Sequence, residues 1–194
     1  MNERKKPRIG RTQNINIKKQ KNKKITNTKL IGSTKALLDE YKKAIDELIN
    51  IIKPLNDSRL SMVVDNETKD SDCKSIQTVL THVVCSGYNY TIYIENSIGV
   101  NKPRVERVVC NSVDQYIDQL NLMFGYCVDF FRQKRNLQIQ QTDNSKKVMV
   151  NWGQQYNIEQ LLEHAIVHIL RHRRQIESFI KIQNEQATQG KSVS

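Results

Sequence analysis

Three of the four histidines, His164, His168 and His172, stand at intervals of four in residues 163–176. On a helix, residues i and i+4 share a face with Cβ atoms about 6 Å apart, so two imidazoles can converge on one ion through bonds of about 2.0 to 2.1 Å. All three cannot, because His164 and His172 are separated by roughly 12 Å along the axis. At about 100° per residue, Ile158, Leu162, Ala165, Ile169, Ile176 and Ile180 form an apolar stripe that sets the inward direction. His172 falls roughly 50° from its centre, His168 roughly 90° and His164 about 130°, so the inward pair is His168 and His172 and His164 belongs to the flank. A catalytic zinc site usually takes three protein ligands and an exchangeable water. The one histidine left to complete it is His82, on the edge of another apolar face beside Val79, Ser86 and Tyr93. A lone histidine in such a place is more often a hydrogen-bonded core or surface residue than a ligand.

Other metal chemistries are excluded by spacing. A di-iron bundle needs Glu-x-x-His, but Leu162 and Ile166 follow Glu159 and Glu163 at that distance. A zincin needs His-Glu-x-x-His, and the residues after the three helical histidines are Ala165, Ile169 and Arg173.

Four helices must position these groups. The first is expected over about 34–52, with Leu37, Leu38, Tyr41, Ala44, Ile45, Leu48 and Ile52 at spacings of three and four and Pro54 as its stop. Asp72 can cap a second, carrying Ile76, Val79, Leu80, Val83, Gly87, Tyr90 and Ile94 and closed by Gly99 and Pro103. Asn111 or Ser112 can cap a third, with Val113, Tyr116, Ile117, Leu120, Met123, Phe124, Cys127, Phe130 and Phe131 inward. The fourth opens at Asn157, with Gln160 completing a capping box, and runs to about 182. Only 105–110 and 147–150 read as extended. The pattern predicts an all-α fold, an antiparallel four-helix bundle with two long connections, whose facing side chains can supply an interior site.

The chain has 194 residues and a net charge of +11, enough for one domain and a tail. Residues 1–29 hold eleven Lys or Arg against Glu3 alone, a charge of +10, which leaves +1 for the remaining 165 residues. Any case for a polyanion such as nucleic acid therefore rests on that segment. It is poor in apolar residues, has no period and lacks interleaved aromatics, so residues 1–29 are expected to be a disordered basic tail that mainly solubilises. The bundle is expected over 30–183, with a disordered C-terminal tail over 184–194. No apolar run resembles a secretory signal or a membrane span, which predicts a cytoplasmic protein without membrane contact. Cys73, Cys85, Cys110 and Cys127 form no Cys-x-x-Cys pair and read as reduced, mostly buried thiols.

The segment around His82, residues 75–84, and the pattern His168-x-x-x-His172-x-x-Gln175 together resemble the DinB/YfiT-like superfamily. The resemblance implies a four-helix bundle with one histidine on the second helix and the remaining motif on the last. It places ligands on His82, His168 and His172, in agreement with the geometric choice, and covers roughly residues 30–183 in layout. It further implies a metal-dependent transferase of low-molecular-weight thiols or a thiol-dependent isomerase, and it permits homodimers. One divalent ion is expected, zinc first, with nickel, manganese or iron as alternatives. Its open position would activate water or a thiol for transfer to, or hydrolysis of, a small-molecule substrate.

Gln175 and, more weakly, His164 are candidates to support the ligands from behind, although a helix-surface amide is an equally ordinary role for Gln175. Ser86, Tyr93 and Trp152 are candidate pocket residues, against the commoner packing role of such aromatics. Arg171, Arg173 and Arg174 are expected to form a solvated basic strip turned away from the His168 and His172 face. The competing reading, from a different class, is a non-enzymatic, stress-related bundle whose tail binds nucleic acid or another polyanion.

Overall fold

The computed structural model describes Leu30 and residues 32–191. The expectations for residues 1–29, disorder and polyanion contact alike, lie outside the described residues.

Four helices carry the fold: α1 (Gly32–Ile52), α2 (Ile76–Ser97), α3 (Val113–Gln133) and α4 (Ile158–Lys191). The architecture is the expected all-α bundle. Each helix buries the face its apolar period marks: Tyr41, Ile45, Leu48 and Ile52 in α1, Ile76, Leu80 and Ile94 in α2, Tyr116, Leu120 and Met123 in α3, and Leu161, Ile169 and Ile176 in α4.

The caps are those of short polar residues offering oxygens to unpaired N–H groups. Ser112 caps α3, accepting from the Gln115 N–H. Asn157 and Gln160 bond reciprocally at the start of α4 at 2.8 and 3.0 Å. The cap of α2 is Ser75, in a reciprocal box with Thr78, rather than Asp72. Asp72 instead sits in a 3-10 turn, Ser71–Cys73, which frees its carboxylate for a different partner. Gly99, at φ +86°, takes the left-handed conformation that closes α2. At the other end of the chain α4 continues through Lys191, so residues 184–191 are helical where an unstructured tail is expected.

α1 lies beside α3 and α4, and α2 beside the same two helices, leaving α1 diagonal to α2. Contacts fix the directions. His82 of α2 meets His168 and His172, while Tyr90, farther along α2, meets His164, so α2 and α4 run antiparallel. Tyr41 meets Phe124 edge-on, and Asp57, beyond the end of α1, accepts from the N–H of Val113 at the start of α3, so α1 and α3 are also antiparallel. The neighbours α2 and α3 run the same way: Thr81 bonds Tyr116 and Glu95 bonds Tyr126. So do α1 and α4, since Glu47 pairs with Arg173 while Arg59, past the end of α1, reaches Gln183. The bundle is therefore antiparallel across two of its seams and parallel across the other two.

A parallel seam between consecutive helices requires the chain to return the length of a helix, about 33 Å for the 22 residues of α2. Residues 98–112 do this as a strap laid back along α2. Asn96 holds the Lys102 N–H, Asn89 accepts from the Val105 N–H at 3.0 Å, and Gln77 donates to the Cys110 carbonyl at 2.8 Å. That is why 105–110 reads as extended yet joins no sheet. The other expected extended stretch contains β1 (Val148–Met149), paired antiparallel with β2 (Gln155–Tyr156) in a small hairpin before α4. Among the described residues no helix is long and apolar enough to cross a membrane.

Candidate metal centre

Because α2 and α4 are antiparallel neighbours, the middle of one faces the middle of the other. His82 projects from α2 between His168 and His172 of α4, and the three rings close a triangle with centroid separations of 4.9, 5.0 and 4.4 Å. One ring nitrogen from each lies within 4.8 Å of the others. His172 is buried and the other two are half-buried; of the α4 pair the more inward is the one that the helical rotation predicts.

The hydrogen bonds fix which nitrogens face inward. His82 donates from Nδ1 to a carboxylate oxygen of Asp72 at 3.0 Å, and the same oxygen accepts from Arg107 on the strap. His172 donates from Nδ1 to the side-chain carbonyl of Gln175 at 2.9 Å. With Nδ1 engaged behind each ring, Nε2 is left as the inward group. His82 Nε2 lies 2.9 Å from His168 Nε2, a contact that two bare lone pairs cannot make without a shared proton or a shared cation.

Electrostatics favour neutral, ligating imidazoles. Burial, reinforced by the neighbouring His172 and His82 rings, pushes His168 down to about 2. Burial also lowers His172, against the opposing pull of its bond to Gln175. His168 and His172 are thus held toward the neutral form that a divalent ion requires. Three imidazoles, two of them with a carboxylate or an amide behind the ring, form a group that could hold a metal ion.

A cavity of about 480 Å3 opens beside the triangle. Its wall holds the expected Ser86, Tyr93 and Trp152, together with Asn89, Tyr90 and Asn151. Tyr93 donates to Asn151 at 2.7 Å, and Trp152 stacks on His164 with centroids 5.4 Å apart. His164 therefore lies on the cavity wall, 6.3 Å from the His168 ring and outside the three-histidine group. All four cysteines are free; Cys110 and Cys127 are buried, while Cys73 and Cys85 are half-buried and line the cavity. Burial raises both cavity thiols, which keeps them protonated and unready as nucleophiles.

The basic strip expected on α4 divides. Arg173 is drawn inward to pair with Glu47 of α1 and Glu177, and Arg174 stays exposed. Arg171 curls its long stem back to line the cavity, which a calculation on Cα direction alone overlooks. Three further residues escape the sequence reading: Asp72, taken there for a cap, and Arg104 and Arg107, which look like loop charges until the strap lays them against the site.

No family model matches this chain, and no curated protein matches it either. The likeness to DinB/YfiT-like proteins accordingly rests on the two histidine motifs and the helical layout.

Proposed function

We propose that this protein is a DinB-like metal-dependent enzyme that holds one divalent ion, zinc in the first place, on Nε2 of His82, His168 and His172. The observation that carries the reading is the convergence of three imidazole nitrogens with two of the rings fixed from behind. An ion held there supplies a Lewis acid that lowers the pKa of a water or low-molecular-weight thiol at its open position. The chain's own residues do the remaining work. Asp72 orients His82, Gln175 orients His172, and the burial of His168 keeps that ring neutral. The cavity walled by Trp152, Tyr93 and Ser86 receives the second reactant beside the triangle, for transfer of a thiol or for hydrolysis.

The test is metal content of the purified protein beside His168→Ala and His172→Ala variants. Near-stoichiometric metal in the parent, a rise in Tm on adding zinc to metal-free protein, and loss of both in the variants are expected. A metal-free parent whose Tm ignores zinc, nickel, manganese and iron would end the proposal.

A further inference from the structure

We infer that the cavity beside the histidine triangle takes a small organic acid, with its carboxylate on arginines and its body against an aromatic wall. Three guanidiniums line this one cavity: Arg104 and Arg107 from the strap and Arg171 from α4. Only Arg107 has an anionic partner, Asp72. Arg104 lies over the Tyr93 ring at 5.8 Å, and among the described residues neither Arg104 nor Arg171 forms an ion pair. Arg171 also has no acid one turn away on α4, where His168, Val167, Arg174 and Gln175 occupy the neighbouring positions.

With no ion on the histidines, the balance of side-chain charges points to a monoanion. Of the carboxylates at this site, Asp70 lines the cavity and Asp72 stands behind His82; set against three guanidiniums they leave one positive charge unmatched. A carboxylate matches the planar fork of an arginine and the size of that charge. Beside the arginines the wall is aromatic. Tyr90 and Tyr93 meet Trp152 edge-on at 6.3 and 6.1 Å, and Trp152 stacks on His164, a surface suited to a flat or apolar body. Anchoring the acid there leaves its far end free to reach the triangle. That this acid is a substrate rests on the metal reading above; its recognition rests on the arginines and aromatics.

Trp152 is the only tryptophan of the chain, so its fluorescence reports occupancy of the cavity directly. Phenylacetate, its neutral isostere phenylacetamide and phenyl phosphate are titrated into the full chain at low salt, once after EDTA treatment and once with zinc. Phenylacetate is expected to bind about tenfold or more tighter than the amide, with an affinity that falls as salt rises. Arg104→Gln and Arg171→Gln should each weaken phenylacetate by about five- to tenfold and leave the amide unchanged, while Arg174→Gln alters neither. Equal binding of acid and amide, arginine variants that bind as the parent does, or tighter binding of phenyl phosphate would each overturn the assignment. The two readings part cleanly: zinc uptake without preference for the acid defeats this inference alone, and arginine-dependent acid binding without zinc uptake defeats the metal reading alone.

Discussion

α2 takes part in two seams of opposite character. Toward α3, its parallel neighbour, the packing is dense. A Cβ on Gly87 would fall 2.0 Å from the Met123 sulfur, so only glycine allows the approach. The polar groups of that seam are also closed: Thr81 and Tyr116 share a 2.6 Å hydrogen bond, and the buried Glu95 is held by Tyr126 and by Lys102 at 2.7 Å. Toward α4 the same helix presents His82 to two more imidazoles and leaves a cavity beside them. Here two ring nitrogens face each other, an arrangement that serves no packing purpose. A buried polar group without its full complement of partners is costly. The α2–α3 seam is therefore the closed one, and the α2–α4 seam is the one that holds the histidine group and the cavity.

The sharpest way to break this contrast is to truncate one side chain in each seam. Met123→Ala removes a fully buried side chain from the dense seam and should cost about 3 kcal/mol, a fall in Tm of roughly 10 °C. His168→Leu in metal-free protein should hold Tm within about 3 °C of the parent, or raise it, because an apolar side chain replaces a desolvated imidazole whose packing is looser than that of Met123. Thermal unfolding followed by circular dichroism decides the matter: a larger loss for His168→Leu than for Met123→Ala reverses the assignment of the two seams.

The next effect is on the ion. Asp72→Asn keeps the shape of the side chain but withdraws the charge behind His82, and should weaken zinc binding by up to about 100-fold. Competition against a chelating dye measures it. An Asn variant that binds zinc as tightly as the parent would make Asp72 a partner of Arg107 only.

Acid sharpens the comparison further. His168 and His172 both have lowered pKa values, so in the folded metal-free state they stay neutral while the unfolded chain takes up protons near its ordinary histidine value of about 6.5. Above that pH both states are neutral and the groups contribute nothing to the pH dependence. As pH falls below it the unfolded state binds more protons and stability drops. Between pH 7 and 5.5 His168 alone should account for a loss of about 1 kcal/mol, with His172 adding in the same direction, and a variant with leucine at both positions should lose less. Chemical denaturation at the two pH values checks this, and equal slopes for parent and variant would refute it.

The pair on α4 was legible because both of its causes are local, whereas His82 was reached only as the histidine left over and through the resemblance. The i, i+4 spacing fixes what one helix can offer, and the apolar stripe of α4 turns His172 inward, where it is buried while His168 and His164 are half-buried. The helical faces were legible for the same reason. What was not legible depends on how distant segments are brought together. Arg104 and Arg107 carry no period, and only the return of the strap along α2, fixed by Asn89 and Gln77, turns them toward the site. Asp72 misled because a short acid before a helix is an ordinary cap; Ser75 three residues later performs that role, which leaves the carboxylate to His82. The directions of the helices were hidden as well, since an apolar period marks a buried face without saying which neighbour covers it or which way that neighbour runs.

The smallest expected effect concerns Gln175, and it separates support for an ion from support for the fold. Its side-chain carbonyl accepts from His172 Nδ1, which is a bond behind the ligand rather than in the packing of the bundle. A neutral amide polarises a ring less than a carboxylate does, so Gln175→Ala should weaken zinc by about tenfold, less than Asp72→Asn. Gln175 is only half-buried, and its loss leaves the buried His172 with an unpaired N–H, so a small cost to the metal-free fold, within about 1 kcal/mol, is expected. Gln175→Glu supplies the stronger acceptor at the same place and should recover zinc affinity to the parent level or above. If alanine and glutamate lower zinc affinity equally, Gln175 belongs to the helix surface, and the asymmetry between the two seams of α2 rests on the histidines and Asp72 alone.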